Sequence, residues 1–246
     1  MRRVNREILR RAALLATLCV CGCSTHPSSS GGAPDRLRAA AATEWAGDRA
    51  SLGPPAAAPI SVPKGTWVLH IGDSFVHAFL RQNLRPRFRS VGAEYVVDAT
   101  TATYTTTWAS DQELGDWLSK RPALVLVTLG ANEVDIPVPS QHARAVESLA
   151  RRIASVGASC VWIAPPLWKG ETGILEVIHD HCAPCLFFDS DAVLGGLSAV
   201  ERGRDRIHPN ERGGGRWAAA LWDWLTDHRD PSGGPWALAP FERRGS

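Results

Sequence analysis

Three short stretches of this sequence carry residue types that do nucleophilic chemistry together. The first is Trp67-Val-Leu-His-Ile-Gly-Asp-Ser74, which ends a short apolar run on a serine. Such a run forms a strand buried on both faces. Gly72 permits a sharp turn, and Ser74 then falls at the strand's carboxyl end, where open α/β sheets bind ligands. Its N–H there faces the site from the electropositive start of the next helix. A serine hydroxyl is a poor nucleophile until a base takes its proton. His208, in Asp205-Arg-Ile-His-Pro-Asn210, is the histidine placed to be that base. Asp205, three residues earlier, reaches the far ring nitrogen within one turn, fixing the tautomer and stabilising the imidazolium. The third stretch, Gly130-Ala-Asn-Glu133, brings an amide side chain, Asn132, to another strand end. Taken singly, each has a plainer reading: Ser74 as a helix N-cap, Asp205 and His208 as a solvated surface turn.

In this order and at these separations the stretches resemble the blocks of the SGNH/GDSL hydrolases: a Gly-Asp-Ser turn, an asparagine loop, and Asp-x-x-His before the last helix. The resemblance covers about Trp67 to Leu225. It implies a flavodoxin-like, three-layer α/β/α sandwich on a five-stranded parallel sheet. It also implies ester hydrolysis by a Ser74–His208–Asp205 triad, with no metal or organic cofactor. Three oxyanion donors are implied: the N–H of Ser74, the side chain of Asn132, and the N–H of a glycine after the second strand. At that last position the chain reads Asp98-Ala-Thr-Thr-Ala-Thr-Tyr104, and Ala102 is the best match. Alanine still offers an N–H, but it reaches positive φ less cheaply than glycine. Glu133 takes the place of the usual acidic neighbour of the asparagine and reads as a loop brace.

The elements that must position these residues alternate regularly. Strands are expected at 67–71, 94–98, 123–129, 160–164 and 186–189, with amphipathic helices over 75–88, 107–119, 141–156, 173–179 and 212–228. Strict β–α alternation with apolar strands predicts a parallel sheet covered by helices on both faces, with right-handed crossovers. Asn210 is a natural N-cap for the last helix, in which Trp217, Trp222 and Trp224 read as core anchors. Pro165–Trp168 and Thr100–Trp108 follow strand ends and are expected to wall the substrate pocket. Trp168, Trp108 and Tyr104 are open to two readings, stacking on sugar rings or ordinary packing. His70 inside the first strand reads as a satisfied core histidine, and His77 as a residue of the first helix lining the site.

His179-Asp-His-Cys182-Ala-Pro-Cys185 has metal-ligand residue types, but zinc sites need a second ligand pair at a set spacing and none is present. In an exported chain a Cys182–Cys185 disulfide is the expectation, with Cys160 the rival partner for Cys185.

Export is read from the amino terminus. Five arginines precede the short apolar run Ala12–Val20, too short to span a bilayer, and the segment closes on Val20-Cys21-Gly22-Cys23. This resembles a bacterial lipoprotein signal over 1–22, with Cys23 the lipidated residue that tethers the chain to the envelope. Residues 23–63 are rich in Ser, Gly, Ala and Pro and read as a flexible tether; 64–229 is the catalytic domain and 230–246 a tail. Beyond residue 22 the chain holds 22 basic and 24 acidic residues, which gives no electrostatic reason to expect nucleic acid. The function expected is a secreted, lipid-anchored serine esterase acting on short acyl esters of envelope or extracellular glycans. Two alternatives share the site or the fold: an O-acyltransferase that passes the acyl group to a sugar hydroxyl, and a catalytically silent envelope-binding domain.

Overall fold

The computed structural model describes residues 60–239. The segment expected to be a signal at 1–22, the expected lipidation site Cys23, the expected tether up to residue 59 and the tail from residue 240 lie outside the described residues. The strands are β1 (Trp67–Gly72), β2 (Glu94–Ala99), β3 (Leu124–Thr128), β4 (Ser159–Ile163) and β5 (Leu186–Phe188). They form one parallel sheet in the order β2-β1-β3-β4-β5. The chain moves to β2 on one side of β1 and to β3 on the other, so the point where the winding reverses lies beside β1.

Side chains alternate across the sheet because successive strand residues face opposite ways. Val68, Leu126, Val161 and Ile163 pack against Leu84 and Phe88 of α1 (Arg81–Ser90) and Trp217, Leu221 and Leu225 of α7 (Glu211–Asp227). Leu69, Ile71, Val127 and Trp162 pack on the other face against α2 (Thr105–Ser110), α3 (Glu113–Ser119), α4 (Ala143–Ala154) and α5 (Ile174–His181). This is the three-layer α/β/α architecture expected from the alternation. Trp217 is fully buried as a core anchor.

Three differences from the sequence reading have physical causes. The first helix does not begin at residue 75; a wide π turn at Val76–Leu80 intervenes, with Phe79 at φ 64°. The cause lies in α7: a Cβ on Gly214 would stand 2.4 Å from Phe79 Cβ, so the α7 backbone presses directly on that turn. The expected 107–119 helix is split at Asp111, which leaves helical geometry with ψ 126°. A short α6 (Ser190–Leu194) follows β5, with the Asp189 carboxylate accepting from the Ala192 N–H.

The folded unit also reaches past both expected domain edges. Val62 is buried and its N–H donates to Val91 O at 3.0 Å. Trp236 is 1% exposed, packed on Phe88 and Trp222.

The expected Cys182–Cys185 disulfide is corrected. The bond joins Cys160 to Cys185, and the Cys182 thiol is free and buried. Sheet register is the reason: Val161 pairs with Leu186 across β4 and β5, so the residues just before them stand side by side, 4.5 Å apart at Cα. Cys182 caps α5 instead, its thiol donating to the carbonyls of His179 and Cys185 at 3.6 Å. Burial pushes that thiol up to about 12.

Candidate active site

β1 delivers Ser74 to the carboxyl edge of the sheet, and Gly72 is what lets it arrive there. A Cβ at Gly72 would stand 2.3 Å from Thr128 O, so only glycine lets β1 end this close to β3. Asp73 then donates its N–H to Thr128 O, and its buried carboxylate accepts from Phe75 N–H at 2.9 Å, closing a tight turn around the serine.

His208 comes from the loop before α7. Ser74 Oγ and His208 Nε2 are 2.8 Å apart across 134 residues of chain, and His208 Nδ1 lies 2.7 Å from Asp205 Oδ2. The other Asp205 oxygen accepts from the N–H groups of Ile207 and His208 at 2.9 and 3.1 Å. The His208 hydrogen bond, followed by the Ile207 N–H, holds the Asp205 carboxyl below its ordinary value. Asp205 therefore remains an acceptor into acidic solution. The Phe75 ring packs on the imidazole at 4.9 Å between centroids, limiting its rotation.

The loop carrying the pair is held by the expected cap, Asn210, and by Arg202 and the glycines of α7, whose part in the site was not legible beforehand. The Arg202 guanidinium, buried, donates to Ile207 O at 2.6 Å and reaches the carbonyls of Pro166 and Leu167 in the loop after β4. Asn210 caps α7 through Gly213 N–H at 3.1 Å and donates to Arg202 O at 3.0 Å. A Cβ on Gly213 would stand 2.1 Å from Glu201 O. The glycines at the head of α7 thus bring the helix against both the histidine loop and the serine turn.

Asn132 follows β3 through Gly130, which holds φ 119°. Its Nδ2 donates to Thr103 O at 2.8 Å and to Asp73 Oδ2 at 3.2 Å. The first bond ties it to the loop of Ala102, which stands at φ 58°. That left-handed geometry is the one glycine adopts at no steric cost, and alanine adopts it here at about 1–2 kcal/mol. Burial, aided by the charge of Glu133, pushes the Asp73 carboxyl up to about 7, against the pull of the Phe75 N–H. Glu133 is fully buried and accepts from Thr105 N–H, which braces the asparagine loop against α2.

The remaining expected site residues divide. Trp108 is 2% exposed and donates to Thr103 Oγ1, so it is packing and not a platform. Trp168 is half-buried and stacks on Phe75 at 5.6 Å, and Tyr104 is exposed. His77 donates to Ala99 O at 3.0 Å, pinning the end of β2. His70 lies between Tyr95 Oη at 2.5 Å and Thr128 Oγ1 at 2.8 Å, and burial pushes its imidazole down to about 3. No cluster of three or more His, Cys, Asp or Glu arranged to hold a metal occurs among the described residues.

No protein-family model matches the sequence, and no curated protein matches it. Solved structures do match in fold. LAE5, an α/β hydrolase enzyme from the metagenome of Lake Arreo, is 18% identical with a TM-score of 0.54, over 67% of this chain and 97% of its own. A peptidoglycan O-acetylesterase is 12% identical with a TM-score of 0.57, over 67% of this chain and 91% of its own. A two-domain esterase active on acetylated mannans is 15% identical with a TM-score of 0.51, over 72% of this chain and 53% of its own. At these identities the likeness establishes a common fold.

Proposed function

We propose that this chain is a serine esterase of the SGNH/GDSL type, exported and lipid-anchored through Cys23, that removes short acyl groups from envelope or extracellular glycans. The single observation that carries the reading is the unbroken line of hydrogen bonds from Ser74 through His208 to Asp205, at 2.8 and 2.7 Å.

In the proposed reaction Ser74 Oγ attacks the ester carbonyl while His208 Nε2 takes its proton. The charge that develops on the carbonyl oxygen is met by the N–H groups of Ser74 and Ala102 and by Asn132 Nδ2. Collapse expels the alcohol, which leaves with the proton held by His208. Water then attacks the acyl-serine with His208 again as base, and the carboxylic acid departs. Asp205 holds the imidazole in the productive tautomer throughout. No metal or organic cofactor takes part. Two observations favour a glycan ester as substrate. Tyr104 and Trp168 lie in the loops after β2 and β4, at the same sheet edge as Ser74, and present partly exposed aromatic faces. Two of the proteins sharing the fold act on peptidoglycan O-acetyl groups and acetylated mannans.

The test is a panel of chromogenic acetate, butyrate and dodecanoate esters with acetylated sugars, run on the full chain and on Ser74→Ala. Acetate release in water without any acceptor sugar, lost by about 10⁴-fold or more in Ser74→Ala, is the expected result. Turnover only when an acceptor sugar is present makes the chain an O-acyltransferase, and an unaltered rate in Ser74→Ala removes the enzyme reading. For the anchor, Cys23→Ser moves the chain from the membrane fraction to the soluble one.

A further inference from the structure

β2 is an edge strand, paired only with β1 among the described residues. Glu94 N–H bonds to Thr66 O and Thr100 N–H to Gly72 O, both toward β1. Backbone groups alternate sides along a strand, so the N–H and C=O of Tyr95 and Val97 point away from the sheet. Beside this open edge is a cavity of about 380 Å³ lined by Arg85, Arg89, Ala93, Glu94 and the β2 residues Tyr95 to Val97.

The helix over that cavity is unusual in charge. α1 reads Arg-Gln-Asn-Leu-Arg-Pro-Arg-Phe-Arg-Ser, four arginines and no carboxylate. None of the four is in an ion pair among the described residues. Arg81, Arg85 and Arg89 recur every four residues and share one face, and Arg81 and Arg85 both act electrostatically on Tyr95. Like charges at that spacing repel one another. An anion laid along the row turns that repulsion into attraction.

The spacing says what kind of anion. Along the helix the arginines stand ~6 Å apart, at 1.5 Å of rise per residue. In an extended chain, side chains on one face recur every ~6.6–6.8 Å. The outward N–H and C=O groups of Tyr95 and Val97 recur at that same interval. We propose that the edge of β2 and the arginine row of α1 together bind an acidic peptide in extended conformation, added to the sheet as a further strand. The peptide's main chain pairs with Tyr95 and Val97, and carboxylates at alternate positions meet Arg85 and Arg89. The site lies away from Ser74 and its working does not depend on the proposed esterase activity.

The experiment is fluorescence anisotropy of the full chain with a labelled Glu-Val-Glu-Val-Glu-Val peptide. Controls are the Lys-Val counterpart and a Glu-Pro counterpart, which loses every second N–H donor and cannot hold the φ of an extended strand at its prolines. Binding of the Glu-Val peptide is expected, weakened at least about tenfold by the Glu-Pro change or by the double variant Arg85→Ala/Arg89→Ala, with no binding of the Lys-Val peptide. Ester hydrolysis and the melting temperature of the double variant should match those of the parent chain, because both arginines are exposed and remote from Ser74. The proposal falls if the Glu-Val peptide does not bind, or if Glu-Pro binds equally well. It also falls if anionic phospholipid vesicles capture the chain through these arginines while the peptide does not.

Discussion

Asn132 donates from one amide nitrogen to both Asp73 Oδ2, at 3.2 Å, and the carbonyl of Thr103, at 2.8 Å. Both amide hydrogens are therefore engaged in the resting site, and in the proposed reaction the longer bond, to Asp73, is the one the oxyanion would share or displace. Asn132→Ala should lower kcat by about 10²–10³, roughly 2.7–4 kcal/mol, with little change in KM. Steady-state kinetics on a chromogenic acetate measure it, and a loss confined to KM would remove Asn132 from the oxyanion site.

Asp73 itself makes stability depend on pH. Its carboxyl is raised from 3.8 to about 7, chiefly by burial. The native state thus keeps a proton that the unfolded chain has already released. Native stability is lost as pH rises from about 4 to about 7 and is level above that. Asp73→Asn carries no such penalty. Its melting temperature relative to the parent should climb across that window and then plateau, as differential scanning calorimetry at several pH values would show. A difference independent of pH would contradict the burial argument.

In the proposed reaction Asp205 acts by orienting His208. Asp205→Asn leaves the loop's N–H contacts an acceptor but offers Nδ1 no carboxylate. A fall in kcat of about 10²–10⁴ is expected, with the melting temperature nearly unchanged because the side chain is half exposed. Retention of full activity would place the orienting group elsewhere.

Gly213 and Gly214 admit no side chain without backbone movement. Gly213→Ala or Gly214→Ala should each destabilise by about 1–3 kcal/mol through overpacking. Because the displaced parts carry Ser74 and His208, kcat should fall along with melting temperature, well below the temperature at which either variant unfolds.

Cys160 and Cys182 separate a covalent brace from a packing residue. Cys160→Ser opens the Cys160–Cys185 bridge and should cost about 2–4 kcal/mol. Cys182→Ser leaves the bridge intact, and its parent thiol should resist alkylation until the chain unfolds. Ala102→Gly offers a further check on the backbone: it relieves φ 58° and should gain up to about 1 kcal/mol while keeping the N–H.

What the sequence made legible was what local chemistry decides. The β1 run and its Gly-Asp-Ser turn, the Asp205-to-His208 spacing and the Asn210 cap all depend on near neighbours, and their places agree with the structure. What stayed hidden depends on distant chain. The disulfide follows from the register of β4 and β5, which no spacing of cysteines reveals. The wide turn at Phe79 is imposed by Gly214, more than a hundred residues later. Arg202 could not be told from its neighbours Arg204 and Arg206 until its carbonyl partners were seen.

The contact between the head of α7 and the turn after Ser74 has a practical reach. It is made at the backbone and at Cβ, so the reactive separation is set by how α7 seats on that turn, with the loops after β2 and β4 adding only the carbonyls of Thr103, Pro166 and Leu167 as supports. Side chains of those two loops that make none of these supporting contacts can be exchanged to accept a different acyl or sugar group without retuning the nucleophile. A library randomised at Thr101, Tyr104 and Lys169, with Ala102, Thr103, Leu167, Trp168 and the paired glycines of α7 left alone, would search specificity while the parts that hold Ser74, His208 and Asn132 stay unchanged.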